Sequence, residues 1–213
     1  MQSFKPPLFA FDDNWKDFLD INGYVVFKDI LTDEEQNTAY QLFKNCWSEI
    51  TPNFNWNNKE TWTTDNTPIV WCKGSAVFNG FGQSEFMWYL RTKENMIKPF
   101  YNIYDSNDLG VSFDGFSVFI SSTQKSKKWL HIDQNPKNNN KCYQGSYNLL
   151  PVNEDSSGFV VVPGSHKTYN PETRINKDWI LIDDNDIHNN KEIKLLIPKN
   201  CLTIWNSKTI HSN

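Results

Sequence analysis

Arginine is nearly missing from this chain of 213 residues: only Arg91 and Arg174 carry a guanidinium. Asp and Glu outnumber Lys and Arg by 25 to 21, giving a net charge of −4 and an isoelectric point near 5.6. That balance holds no basic footprint for a phosphate backbone, so nucleic acid is not an expected partner. Cysteine is scarce and scattered. Cys46, Cys72, Cys142 and Cys201 form no CxxC pair. The expectation is free, mostly buried thiols in a reducing compartment. Long apolar runs are absent too: no stretch approaches the roughly 18 residues of a membrane span. The opening MQSFKPPLFAF lacks the apolar core of a secretory signal. A soluble, cytoplasmic protein is expected. No internal repeat and no linker interrupts the chain, which predicts a single domain over 1–213.

What is present is aromatic. Phe, Trp and Tyr make up 15% of the chain, with nine Trp, and such rings pack well on pleated surfaces. Residues 12–22, DDNWKDFLDIN, place Trp15, Phe18 and Leu19 at helical spacing before Gly23, which predicts a short helix and its C-cap. YVVF (24–27) reads as a strand. Thr32 with Glu35 three residues on is a capping box, so a helix should run from there to about Ile50. Residues 51–80 read as loops with short strands. Residues 84–105 read as a helix broken near Thr92 to Asn95 and then resumed.

From Gly110 the texture changes to short β-type runs separated by Gly, Pro, Asn and Lys, which point to a sandwich or barrel. The organisation expected is therefore a helical N-terminal part (about 1–105) followed by an antiparallel β-core (about 110–213). The polar connection 168–192 is long and should overhang one mouth of that core, as a lid or as surface decoration.

KKWLHIDQNP holds His131 and Asp133. Strand residues two apart project from one face, so an imidazole and a carboxylate would stand side by side. These are two legs of a two-histidine, one-carboxylate facial triad, which holds non-haem Fe(II) and leaves positions open. Alone, the pair is also what chance provides on an exposed strand. A second histidine must come from elsewhere. His188, in DDNDIHNN, reads as solvated. His166, in PGSH, reads as a turn residue. His211 follows CLTIWNSKTI, a strand and turn that could return to the core, and is the best candidate for the third ligand by elimination.

HIDQ, then YQGSYNLLPVNEDSSGFVVVPGSHK, then NCLTIWNSKTIHSN, in that order, resemble the phytanoyl-CoA dioxygenase family. The opening GYVVFKDILTDEE resembles the start of the same family, so the likeness runs from about residue 15 to the end. The resemblance implies a mainly β fold with N-terminal helices and a double-stranded β-helix (jelly roll, cupin-like) core. It implies an Fe(II)- and 2-oxoglutarate-dependent dioxygenase that hydroxylates its substrate, with succinate and carbon dioxide as co-products, and His131, Asp133 and His211 as iron ligands. The carboxylate at 133 argues against halogenation, because related halogenases put a small residue there. The family carries an arginine for the far carboxylate of 2-oxoglutarate on a further strand after the distal histidine, and a guanidinium fork suits a carboxylate. Neither Arg91 nor Arg174 stands at that place. The core is thus expected to lack its last strand, as the retained part of a longer protein. The alternative is a natural protein that binds 2-oxoglutarate differently or not at all.

Three further residues are candidates at the co-substrate. Tyr147 matches the place of an aromatic beside 2-oxoglutarate in related enzymes, or is a core or surface tyrosine. Asn213, two residues after His211, matches a small polar residue that touches the co-substrate. Gln134, next to Asp133, would stand behind the ligands and orient them. KSKK (125–128) reads as a solvated loop, or as a lure for an anionic substrate. The Trp-rich stretch 54–71 reads as packing, or as the wall of a substrate cleft. The substrate is expected to be a small molecule or a side chain. Two other functions compete with the dioxygenase: a cupin-like metalloenzyme of another reaction type, and a non-catalytic jelly-roll binding module with a vestigial metal site.

Overall fold

The computed structural model describes residues 1–67, 75–76, 80–119, 129–171 and 177–213. By its contacts the chain divides into two compact units, Met1–Ile30 with Lys127–Asn213, and Leu31–Ser126. The first 30 residues therefore go with the late strands, whereas the sequence boundary near 105–110 separated helices from strands.

In the first unit, β1 (Gln2–Phe4), α1 (Trp15–Asn22) and β2 (Tyr24–Phe27) precede a set of short strands. These are β5 (His131–Ile132), β6 (Tyr143–Asn148), β7 (Val160–Val161), β8 (Ile180–Leu181), β9 (Ile193–Leu195), β10 (Cys201–Asn206) and β11 (His211–Ser212). One sheet has the order β1-β9-β7-β11-β5-β8, antiparallel except for β1 on β9. The other has the order β2-β10-β6, fully antiparallel.

Period-two alternation sorts the side chains. Tyr24 and Val26 of β2 and Cys201 and Trp205 of β10 meet Val161 and Leu195 of the larger sheet in one buried cluster, completed by Val152, Phe159 and Ile197. The two sheets thus face each other across a shared core. On the opposite face of the larger sheet, Leu130, Ile132, Val160, Val162, Ile180 and Ile182 form a second cluster with Tyr169 and Ile210. Helix α1 ends at Gly23, which takes φ +78° and donates its N–H to the Leu19 carbonyl, as the sequence predicts. The long connection 168–192 is not all overhang: it contributes the edge strand β8, paired to β5.

In the second unit, α2 (Asp33–Ile50) starts at the expected capping box. The Thr32 hydroxyl accepts from the Glu35 N–H at 3.2 Å, and the Glu35 carboxylate accepts from the Thr32 N–H at 3.0 Å. The predicted break separates α3 (Glu85–Arg91) from α4 (Glu94–Tyr104). A two-stranded ribbon, β3 (Ser75–Ala76) with β4 (Phe116–Ser117), completes the elements. Phe43, Trp47, Phe54, Trp56, Phe86 and Phe116 pack ring against ring at 4.8–6.4 Å. Trp62 stacks on Phe54 at 5.7 Å. These residues of the Trp-rich stretch are thus packing, while Trp71 lies outside the described residues. KSKK and Arg174 lie outside them as well.

Candidate metal centre

His131, Asp133 and His211 come together. One donor atom from each lies within 4.8 Å of the other two. His131 and His211 are directly opposed on β5 and β11, which places both imidazoles on one face, with ring centroids 4.4 Å apart. That face looks into the core between the sheets, since Phe159 and Trp205 stand 5.8 and 5.2 Å from the His211 ring. The Asp133 carboxylate reaches both rings: Oδ2 is 3.2 Å from His211 Nε2, and Oδ1 is 3.6 Å from His131 Nε2. Its backbone is pinned by a bond from Asp133 N–H to the Ser207 carbonyl at 2.9 Å.

Each imidazole is oriented through its other nitrogen. His131 Nδ1 lies 3.0 Å from the Trp129 carbonyl and His211 Nδ1 lies 2.9 Å from the Thr209 carbonyl. A carbonyl only accepts, so Nδ1 carries a hydrogen and Nε2 is the nitrogen turned toward Asp133. Burial pushes the Asp133 carboxyl up. The hydrogen bond and charge of His211, the charge of His131 and the amide of Gln144 outweigh it, leaving the group below its ordinary value and ionised.

The surrounding residues differ from expectation in several places. Gln134 is buried, but its amide bonds to the Asn140 and Asn138 carbonyls at 2.6 and 3.5 Å and so ties down its own loop. The amide on the carboxylate belongs to Gln144, whose Nε2 donates to Asp133 Oδ2 at 3.0 Å. Tyr147 is on the wrong face for the co-substrate. The β6–β10 register runs unbroken from residue 143 to 148, so Tyr147, an odd step from Gln144, points to the other side of the sheet. Its hydroxyl bonds to Asn200 Oδ1 at 3.1 Å. Asn213 does come near: its carbonyl accepts from the Trp129 indole at 3.4 Å, and that indole stacks on His131 at 4.6 Å.

His188 is a correction. It is buried, not solvated, because both ring nitrogens find partners, Asp186 Oδ1 at 2.7 Å and Thr168 Oγ1 at 2.9 Å. His166 sits in the one-turn helix Ser165–Thr168 and bonds to the Asp20 carbonyl, a turn residue as expected. Of the described cysteines only Cys201 is buried, Cys46 is half-buried and Cys142 is exposed, so the expectation of mostly buried thiols does not hold. Sequence reasoning also missed Trp129 and Trp179, whose rings flank His131 at 4.6 and 5.6 Å. Trp129 was legible, since it stands two before His131 on the same strand face.

No family model matches the chain. It is similar to Ava biosynthesis cluster protein O of Aspergillus versicolor, with 22% identity over 223 residues that cover 93% of this chain and 71% of that protein. It is similar to "Putative phytanoyl-CoA dioxygenase" of Dictyostelium discoideum, with 23% identity over 245 residues, 92% of this chain and 69% of that one. Among solved structures it resembles HygX from Streptomyces hygroscopicus, crystallised with nickel and 2-oxoglutarate. The TM-score is 0.60 at 11% identity over 95% of this chain and 80% of HygX. It also resembles the epimerase SnoN, crystallised with Fe3+, alpha ketoglutarate and nogalamycin RO. There the TM-score is 0.52 at 14% identity over 91% of this chain and 73% of SnoN. At these identities the structural likeness is one of fold. No helix among the described residues is long and apolar enough to cross a membrane.

Proposed function

We propose that this chain, similar in sequence to a protein named as a phytanoyl-CoA dioxygenase and in fold to proteins crystallised with 2-oxoglutarate, is an Fe(II)- and 2-oxoglutarate-dependent hydroxylase on a double-stranded β-helix. One observation carries the reading. Two imidazoles on β5 and β11 and a carboxylate just past β5 bring one donor atom each within 4.8 Å of the others, with each Nδ1 held by a backbone carbonyl so that Nε2 faces the site.

The donor set fits the ion. Two imidazoles and one carboxylate on one side of a site suit non-haem Fe(II) and leave positions open for other ligands. Bound there, iron and 2-oxoglutarate would, with dioxygen as the oxidant, supply oxidative decarboxylation to succinate and carbon dioxide, one oxygen atom going to succinate and the other to the hydroxyl formed at a substrate C–H bond. The chain's own residues do the rest. His131 and His211 present lone pairs fixed by the Trp129 and Thr209 carbonyls, and Asp133 presents an anionic oxygen. Trp205 offers a buried indole N–H, without a partner among the described residues, 5.2 Å ring to ring from His211. It would be available as a donor to the carboxylate of a bound keto acid. Arg91 does not fill that role, because its guanidinium is held by the Gly82 and Asp114 carbonyls. Asn213 stays a candidate contact of the co-substrate through its place beside Trp129. Trp179 and Leu181, 49% and 52% exposed, flank β5 and give a small-molecule substrate an apolar wall.

The test is an anaerobic titration of the protein with Fe(II) and then 2-oxoglutarate, watched for the weak visible charge-transfer band of the chelate. The band is the expected result. Metal binding without a band would leave the triad but remove the co-substrate. Absence of metal binding would overturn the reading in favour of a binding module.

A further inference from the structure

The three triad side chains are oriented in two different ways. Each histidine is held from within its own strand or turn, by the carbonyl two residues before it. Asp133 cannot be held so. It lies just past the two-residue strand β5, in a bend, with its side chain 24% exposed. Its backbone is fixed by Ser207, yet that leaves the carboxylate free to rotate about its own side-chain torsions. Apart from the two histidines of the triad, the side chain that bonds the carboxylate is Gln144, 11 residues on and in the opposite sheet, with Nε2 at 3.0 Å from Oδ2. The direction of this amide is set by chemistry, since a carboxylate only accepts. Gln144 is itself held in place on a regular stretch of β6 opposite Trp205. Its Oε1 is buried and has no partner among the described residues. A half-buried glutamine whose oxygen is buried and unsatisfied costs free energy that a methionine or leucine would not.

We infer that Gln144 is the positioning residue of the metal centre: its amide locks the Asp133 carboxylate in the orientation that completes the triad, and it ties the ligands of one sheet to the other. This rests on the function proposed above, because it assigns a role within that same site. Partners behind a metal ligand are typically worth about 10–100-fold in metal affinity.

The experiment measures Fe(II) affinity by anaerobic titration in the parent, in Gln144→Met, which keeps the volume, and in Gln144→Asn, which keeps the amide but draws it back out of reach. Tyr147→Phe, on the same strand but the other face, is the control. The expected result is an affinity about 10–100-fold weaker in both Gln144 variants, a shifted charge-transfer band with 2-oxoglutarate, no fall in the thermal midpoint of the metal-free protein, and parent-like affinity in the control. Affinity within twofold of the parent in the Gln144 variants overturns the inference and leaves the proposed function standing. So does a loss of affinity matched by a fall in the metal-free midpoint, or shared by Tyr147→Phe. A parent that binds no iron overturns the proposed function itself, and this inference with it.

Discussion

Asp133 is the one anionic group of the triad, and removing it leaves two imidazoles that by themselves hold a divalent ion weakly. Asp133→Ala is therefore expected to lose saturable Fe(II) binding and, with it, succinate formation from 2-oxoglutarate. Succinate production at the parent rate in that variant would end the assignment of Asp133 as a ligand. The carboxyl is held below its ordinary value by His211, His131 and Gln144 against the effect of burial, so it is ionised and ready for metal at neutral pH. At this scale the sequence showed the three residues of the triad but not what holds them. His131 and Asp133 are legible because two strand residues at i and i+2 must share a face. Gln144 is not, because its meeting with Asp133 exists only once two sheets face each other. His188 misled for a related reason. A run of Asp and Asn around a histidine looks solvated, yet the same Asp186 that makes the run polar is the partner that lets the ring be buried. Tyr147 was placed by likeness to relatives, and a count of strand parity from Gln144 corrects it.

Elements with end signals were legible because those signals are local. Gly23 and the Thr32–Glu35 box fix the termini of α1 and α2 through bonds made within a few residues. The strands were harder, since a two-residue strand such as β5, β7 or β11 carries no period of its own and is defined by its neighbours. The α2 cap also reaches outward: Glu35 Oε1 pairs with Lys93 Nζ at 2.8 Å, at the residue that precedes α4. The Lys93 hydrogen bond, followed by that from the Thr32 N–H, holds the Glu35 carboxyl below its ordinary value. A carboxyl lowered by folding contributes its stability above its unfolded pKa, and that contribution is lost as pH falls through the folded value. Thr32→Ala is expected to cost about 1 kcal/mol at pH 7. In denaturant melts from pH 7 down to 3, Glu35→Gln should flatten the acid end of the parent's stability curve. A parent curve that the Gln variant follows without change would remove Glu35 from the account of α2.

At the scale of the whole molecule, the first 30 residues belong with the strands that carry His131 and His211, although Leu31–Ser126 lie between them in sequence. Gly23 is where they join. Its carbonyl accepts from the Asn206 N–H and from the Thr209 hydroxyl, each at 2.9 Å. Its left-handed backbone brings it so close that an added Cβ would stand 2.5 Å from Thr209 Oγ1 and from His166 Nδ1. Thr209 is also the residue whose carbonyl holds His211 Nδ1. A methyl group at position 23 therefore presses on the residue that aims His211, 188 residues away. Gly80 is the matched control, with φ +74° but nothing within 4 Å of its added Cβ. Both Gly→Ala changes incur the backbone cost of the left-handed region, about 1–2 kcal/mol, and only Gly23→Ala adds the clash. The expected outcome is a lower thermal midpoint in both variants, a larger fall in Gly23→Ala, and Fe(II) affinity weakened in Gly23→Ala alone. Equal falls with parent-like metal binding in both would show that the N-terminal segment supports the fold without reaching the site. A weakening confined to Gly23→Ala would make the α1–β2 joint part of the apparatus that keeps His211 in register with His131.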